Sequence, residues 1–277
     1  MARSVEQSAE YFADQYQDAH AQSYFDKDAR QAVAQLQLEF MRSLRPQPGT
    51  LLDIGAGDGT FIAAAADAGW RCIGLEPAAR AAFRHAALGP GSAQMLVSSV
   101  ESLHGERFDV ITLWDVIEHV ERPINLVRAA AALLADDGVL VVETGNYRSV
   151  DRLQGGSDWW CYQLDHRWYF SLATLRPLLQ AAGLSHMLLA NRVFRPWWKG
   201  QAHYNRPSWC QALKGLLRSP LRPAQVIRQH LRLRHAASHW GPGAGLAVST
   251  LAASRRALGV AGLEMHLTAL PVSSRDS

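Results

Sequence analysis

From about residue 50 onward, short apolar runs alternate with longer segments whose apolar residues recur at helical spacing. Strands are read at 50–54, 71–76, 93–97, 108–113, 139–142, 184–190 and 263–270, and helices at 58–68, 77–88, 123–134 and 172–182. Strand and helix in turn predict βα units and a parallel sheet. The strand at 108–113 enters with an alternating and then continuous apolar run. Punctuation agrees: Pro77 fits a first helical turn, Ser171 an N-cap, and Asp136-Asp137-Gly138 a turn. Residues 4–44 read as helix in two pieces, with Val33, Leu36, Phe40 and Leu44 at helical spacing. Pro46-Gln47-Pro48-Gly49 ends that region before the first strand. Residues 147–170 read as a long loop, too aromatic for disorder.

The first strand runs into a glycine turn, Asp53-Ile-Gly55-Ala-Gly57-Asp-Gly59-Thr60. Alternating glycines let the chain turn sharply and a ligand lie against bare main chain. The following helix aims its unpaired N–H groups at that ligand. A dinucleotide site wants G-x-G-x-x-G, but here Thr60 holds the third glycine's place. Asp53 would repel a pyrophosphate, yet could accept hydrogen bonds from an ammonium group, directly or through water. Glu76, at the tip of the second strand, is placed for two ribose hydroxyls. An adenosine with an amino-acid tail, S-adenosylmethionine (SAM), satisfies both carboxylates. A nicotinamide oxidoreductase fits poorly.

Asp53-x-Gly55-x-Gly57-x-Gly59, Glu76, and Phe108-Asp-Val-Ile with Asp115-Val-Ile-Glu118-His119 resemble the class I SAM-dependent methyltransferases. The likeness is strongest to the branch that includes the quinone O-methyltransferases, and spans about residues 45–190. It implies a Rossmann-like α/β fold: a seven-stranded, mostly parallel sheet with an antiparallel last strand. The expected division is an N-terminal helical cap over 1–45, a SAM-binding core over 46–192, a basic, Trp-rich helical insertion over 193–260, and a last strand and tail over 261–277. The cap is read either as packing on the sheet or as a lid over the cofactor. The family usually offers an Asp to adenine after the third strand; Ser98-Ser99-Val100-Glu101 stands here, with Ser99 at that position. Ser99, Val100, Trp114 and Asp115 complete the expected cofactor residues. Glu143-Thr-Gly-Asn146 replaces a frequent Pro-Asn after the fifth strand.

The methyl group of a sulfonium is already activated, so alignment supplies much of the rate. A hydroxyl acceptor must also lose a proton, for which a residue titrating near neutrality suits. His166 in the aromatic loop and His119 are the candidates, each readable instead as a structural hydrogen-bonding group. Glu143 is a third, also readable as a solvated carboxylate. Linear spacing offers no metal-ligand cluster, which disfavours a magnesium-dependent catechol mechanism. Cys72, Cys161 and Cys210 are isolated, as in a reducing compartment.

The net charge of +3 conceals an asymmetry. Between His166 and Leu263 lie 14 of the 28 lysines and arginines and none of the 25 acidic residues, which points to an anionic partner. Helices are expected at 208–217 and 223–237. In the second, Arg228, Arg232 and Arg234 alternate with Ile227, Leu231 and Leu233. That pattern suits peripheral contact with an anionic membrane, an anionic glycan, or a solvated helix packed on the sheet. No RNA-binding module accompanies the charge, which disfavours nucleic acid. No run reaches membrane-spanning length, and Arg3, Glu6, Glu10 and Asp14 do not resemble a secretory signal; a cytoplasmic protein is expected, at most associated with the membrane's cytoplasmic face. Two functions follow. One is a SAM-dependent O-methyltransferase acting on a small-molecule, glycan or lipid-linked acceptor. The other is a catalytically idle SAM-fold adaptor working through its basic insertion.

Overall fold

In the computed structural model, residues 27–77, 93–96, 98–190, 223–240, 246, 248–258 and 267–270 are described. Helix α1 (Lys27–Leu44) precedes β1 (Thr50–Ile54), α2 (Thr60–Asp67), β2 (Arg71–Leu75) and β3 (Ala93–Leu96). Then come β4 (Phe108–Trp114), α3 (Pro123–Leu133), β5 (Leu134–Gly145), α4 (Val150–Gly155), α5 (Leu172–Gln180) and β6 (His186–Ala190). Helix α6 (Pro223–Trp240), β7 (Val248–Ser254) and β8 (Leu267–Leu270) complete the order. The strands form one sheet in the order β3-β2-β1-β4-β5-β7-β6-β8. Pairing among β1 to β5 is parallel, while β7 runs antiparallel to both β5 and β6, and β8 antiparallel to β6.

Alternate residues of each strand feed two cores, because successive side chains point to opposite faces. Leu51, Val110, Val139 and Val141 pack with Leu38 and Met41 of α1 and Phe61, Ile62 and Ala65 of α2. Leu52, Ile111, Leu113, Leu140 and Val142 pack with Val127 and Ala130 of α3 and Leu175 and Leu179 of α5. Both faces are therefore covered, as the continuous apolar runs require. At the edge where β4 begins, Arg45 pairs with Asp109 at 2.9 Å and Asp137 at 2.7 Å, which fixes the end of α1.

Three expectations need correcting. The strand at 263–270 exists as β8, but at the sheet's edge. The antiparallel strand inserted between β5 and β6 is Val248–Ser254, inside the stretch expected to be a helical insertion. Its sequence, VSTLAAS, is small and half polar, yet every residue is buried. The expected turn at 136–138 lies within β5, where the register against β4 shifts between Phe108 and Val110. The loop expected over 147–170 contains α4, capped by Ser149, whose hydroxyl accepts from Arg152 N at 3.0 Å. Helix α6 spans its predicted position. The helices expected at 77–88 and 208–217, and the aromatic residues Tyr11, Phe12, Tyr16, Tyr24 and Phe25, fall outside the described residues.

Candidate active site

The parallel strands β1, β2, β4 and β5 end on one side, and there an open α/β sheet binds ligands. At the end of β1 the chain turns through Gly55, Gly57 and Gly59, all with positive φ (77°, 53° and 76°). A Cβ on Gly55 would stand 2.4 Å from a methyl of Val116, whereas one on Gly57 would meet nothing within 4 Å. Gly55 thus serves packing, and Gly57 leaves open space beside bare main chain. Gly55 N and Ala56 N both donate to Leu75 O, which closes the turn onto β2. Asp58 accepts from Thr60 N and its hydroxyl, and pairs with Arg30 of α1 at 3.0 Å.

Two carboxylates flank this turn. Glu76 follows β2 and accepts a hydrogen bond from Gly57 N at 2.9 Å. Asp53 is 2 % exposed and accepts from Thr112 Oγ1 at 2.6 Å. Burial pushes the Asp53 carboxyl up to about 7; the Thr112 bond opposes this and nearby Glu76 adds to it. A buried acid poised near neutrality suits a site awaiting a cationic ligand.

The remaining expected cofactor residues divide. Ser99 is exposed and caps a 3-10 turn (Val100–Leu103), with its hydroxyl turned to Glu101. The Val100 side chain packs into the core instead of facing a ligand. Trp114 lies edge-on to Phe61, with centroids 5.6 Å apart, and its buried indole N–H has no partner among the described residues. Asp115 is the one non-glycine among the described residues with positive φ, 54°. Such backbone strain gathers at functional sites. Asp115 N donates to Glu143 O at 3.1 Å, which joins the tips of β4 and β5.

Beyond Asp115 the chain brings together groups far apart in sequence. His119 and His166 meet edge-on with ring centroids 4.6 Å apart. His119 Nδ1 lies 3.2 Å from Asp165 O and 3.4 Å from an Asp165 carboxylate oxygen. Both neighbours are acceptors, so Nδ1 carries a proton. His166 is held neutral: burial, then the neighbouring His119, pushes it down to about 4. That corrects the expectation of a His166 titrating near neutrality. Glu143 is neither solvated nor open; it is 1 % exposed and accepts from Thr250 Oγ1 of β7 at 2.7 Å. Burial raises its carboxyl and that of Glu118.

Glu118 stands in the Asp115–His119 motif, where sequence reasoning assigned it no role. It is 2 % exposed, and one carboxylate oxygen lacks a hydrogen-bond partner among the described residues. Ligand atoms of Glu118, His119 and His166 lie within 4.8 Å of one another. Linear spacing could not reveal this set, because His166 arrives from the aromatic loop. One carboxylate and two imidazoles make a donor set suited to zinc more than to magnesium. Beside them Tyr147, Trp159, Tyr162 and Tyr169 form a cluster with centroids 5.1–6.2 Å apart. Tyr147, Tyr162 and Tyr169 are each over a third exposed.

A glycine turn flanked by two carboxylates, at the carboxyl ends of a sheet in this strand order, defines a class I SAM-dependent methyltransferase. Residues 25–188 match the family model described as a methyltransferase domain, and the chain belongs to that family. It is 32% identical to the ubiquinone biosynthesis O-methyltransferase of Azorhizobium caulinodans, over 56% of this chain and 66% of that protein. It is also 32% identical to that of Cereibacter sphaeroides, over 58% of this chain and 72% of that protein. Among solved structures it resembles a SAM-dependent methyltransferase from Archaeoglobus fulgidus, with a TM-score of 0.54 and 15% identity, over 81% of this chain and 94% of that one. The plantazolicin methyltransferase BpumL in complex with SAH is similar at a TM-score of 0.51 and 15% identity, covering 82% and 84%. The fold is thus a methyltransferase fold, and SAM is the cofactor.

The residues present fit that cofactor. Asp53 would offer a buried acceptor to its ammonium group, Glu76 an acceptor to ribose hydroxyls, and Gly57 a stretch of main chain open to it. Bound there, SAM supplies an electrophilic methyl group.

Proposed function

We propose that this chain methylates a hydroxyl oxygen of a small-molecule, glycan or lipid-linked acceptor, with His119 as the base. The observation that carries the proposal is the placement of His119. Asp165 orients its ring through Nδ1, and the partly exposed aromatic rings lie alongside. A base oriented by a third group is the arrangement general-base catalysis needs. His166, held neutral at neutral pH, would shape the site around it. The curated relatives' names, ubiquinone biosynthesis O-methyltransferase, support oxygen as the methylated atom.

Incubation with methyl-labelled SAM and hydroxylated acceptors, a prenylated catechol and a sugar phosphate among them, tests this by mass spectrometry. Label on oxygen that disappears in His119→Gln supports the proposal; transfer undiminished by that substitution overturns the base assignment. The Glu118, His119 and His166 set favours a second reading, in which a bound divalent ion activates the hydroxyl. Loss of turnover on chelation, restored by zinc, would mark that reading. The general-base reading predicts no effect of chelation.

Among the described residues no helix is long and apolar enough to cross a membrane. Peripheral membrane contact is supported by exposed Ile227 and Leu231 among the arginines of α6. Flotation with anionic vesicles, without turnover of any acceptor, would favour the idle adaptor.

A further inference from the structure

A half-open hollow of about 300 Å³ lies between α4 and α6, lined among the described residues by Leu153, Arg228, Arg232 and Leu233. Arg228 and Arg232 stand four residues apart on α6, so their guanidinium groups share one face. Both are exposed, and neither has an ion-pair partner among the described residues. Leu153 and Leu233 wall the cavity from the two facing helices. Asp151, the acidic residue of α4, has one carboxylate oxygen taken by the indole N–H groups of Trp159 and Trp160, at 3.1 and 3.0 Å. Arg152 lies over the Tyr147 ring, 4.2 Å from its centroid. Arg234 adds a third positive charge to the same helix, and no acidic residue occurs between His166 and Leu263.

We infer that this cavity binds a phosphate group carried by the methyl acceptor, with Arg228 and Arg232 as its two forks. Paired guanidinium groups match phosphate oxygens bidentately, which a single ammonium cannot do. The cavity lies at the small end of ligand-site volumes, so it suits a headgroup and not a whole acceptor. Helix α4 links it to the catalytic region. Consecutive residues serve the two places, Arg152 against the aromatic cluster and Leu153 in the cavity wall. An acceptor spanning both would lay its ring among the tyrosines and its phosphate between the arginines. The inference rests on the proposed methyltransferase function only in naming the ligand as the acceptor.

Calorimetry with inorganic pyrophosphate, on the full chain saturated with S-adenosylhomocysteine, tests it without turnover. The unmodified protein should bind pyrophosphate. Arg228→Gln with Arg232→Gln should weaken that binding by roughly tenfold or more and leave S-adenosylhomocysteine affinity unchanged, which also shows the variant is folded. Arg232→Lys, keeping charge but losing the fork, should fall between. Equal pyrophosphate affinity in the parent and the double variant overturns the inference. So does an absence of pyrophosphate binding when vesicles of phosphatidylcholine with phosphatidylglycerol bind through the same two arginines, since the site would then be for lipid. If methyl transfer fails while pyrophosphate binding stands, the proposed catalytic function falls and the phosphate site does not.

Discussion

The Asp53 carboxylate, buried at the end of β1, receives a 2.6 Å hydrogen bond from Thr112 of the neighbouring strand. Burial makes the acid bind its proton more tightly folded than unfolded, with a folded value of about 7 against an ordinary 3.8. The sign follows from proton linkage: between those values the native state holds more protons, so the unliganded protein loses stability as pH rises from about 4 to 7. A cationic ligand reverses the preference. SAM affinity should rise with pH through about 7, and binding near pH 6 should release a proton. Calorimetry in buffers of differing ionisation enthalpy reads that proton directly.

Asp53→Asn keeps an acceptor for Thr112 and removes the charge. SAM affinity should fall roughly tenfold or more, the worth of one charge-assisted hydrogen bond. The pH dependence of binding should vanish with it. The unliganded variant should melt no lower than the parent at pH 8.

Two glycines two residues apart should respond oppositely to the same change. Gly57→Ala places its methyl in open space. It should cost stability only about 1 kcal/mol, for a positive φ, while sharply weakening S-adenosylhomocysteine binding. Gly55→Ala drives its methyl into Val116 and should destabilise the fold itself by more. Thermal melts with and without ligand separate the two.

His119→Gln should lower kcat by about 10²–10⁴ with cofactor affinity unchanged. Asp165→Asn removes the orienting carboxylate but leaves the main-chain carbonyl that also contacts Nδ1, so a smaller loss is expected. Its kcat should fall more than its KM changes, with a displaced pH profile.

Thr250→Val leaves the Glu143 carboxylate buried without its strand-to-strand donor. A cost of about 1–3 kcal/mol is expected, growing as pH rises and the acid ionises. Chemical denaturation at pH 6 and pH 8 measures it.

The glycine turn and the two carboxylates that flank it were legible because their logic is local. Asp53, Gly55, Gly57 and Gly59 lie within seven consecutive residues, and Glu76 stands one strand later, so strand ends and spacing sufficed. The His119–Asp165–His166 cluster was not. His119, Asp165 and His166 meet only because the aromatic loop folds back, its Arg167 and Trp168 amides donating to Glu118 O. Strand β7 escaped notice for a related reason. Its serines, threonine and alanines carry little hydrophobic signal, and they are buried because β5 and β6 need a partner between them. Glu143 looked like a surface carboxylate because its donor, Thr250, sits on that same overlooked strand.

The ion pair between Arg30 and Asp58 gives the leading helix a second duty. Asp58 shapes the first turn of α2, so tension on the helix would pass to the amides that greet the nucleoside. If the nucleoside sits at that turn, a fluorophore on the outer face of α1 should report its arrival without touching it.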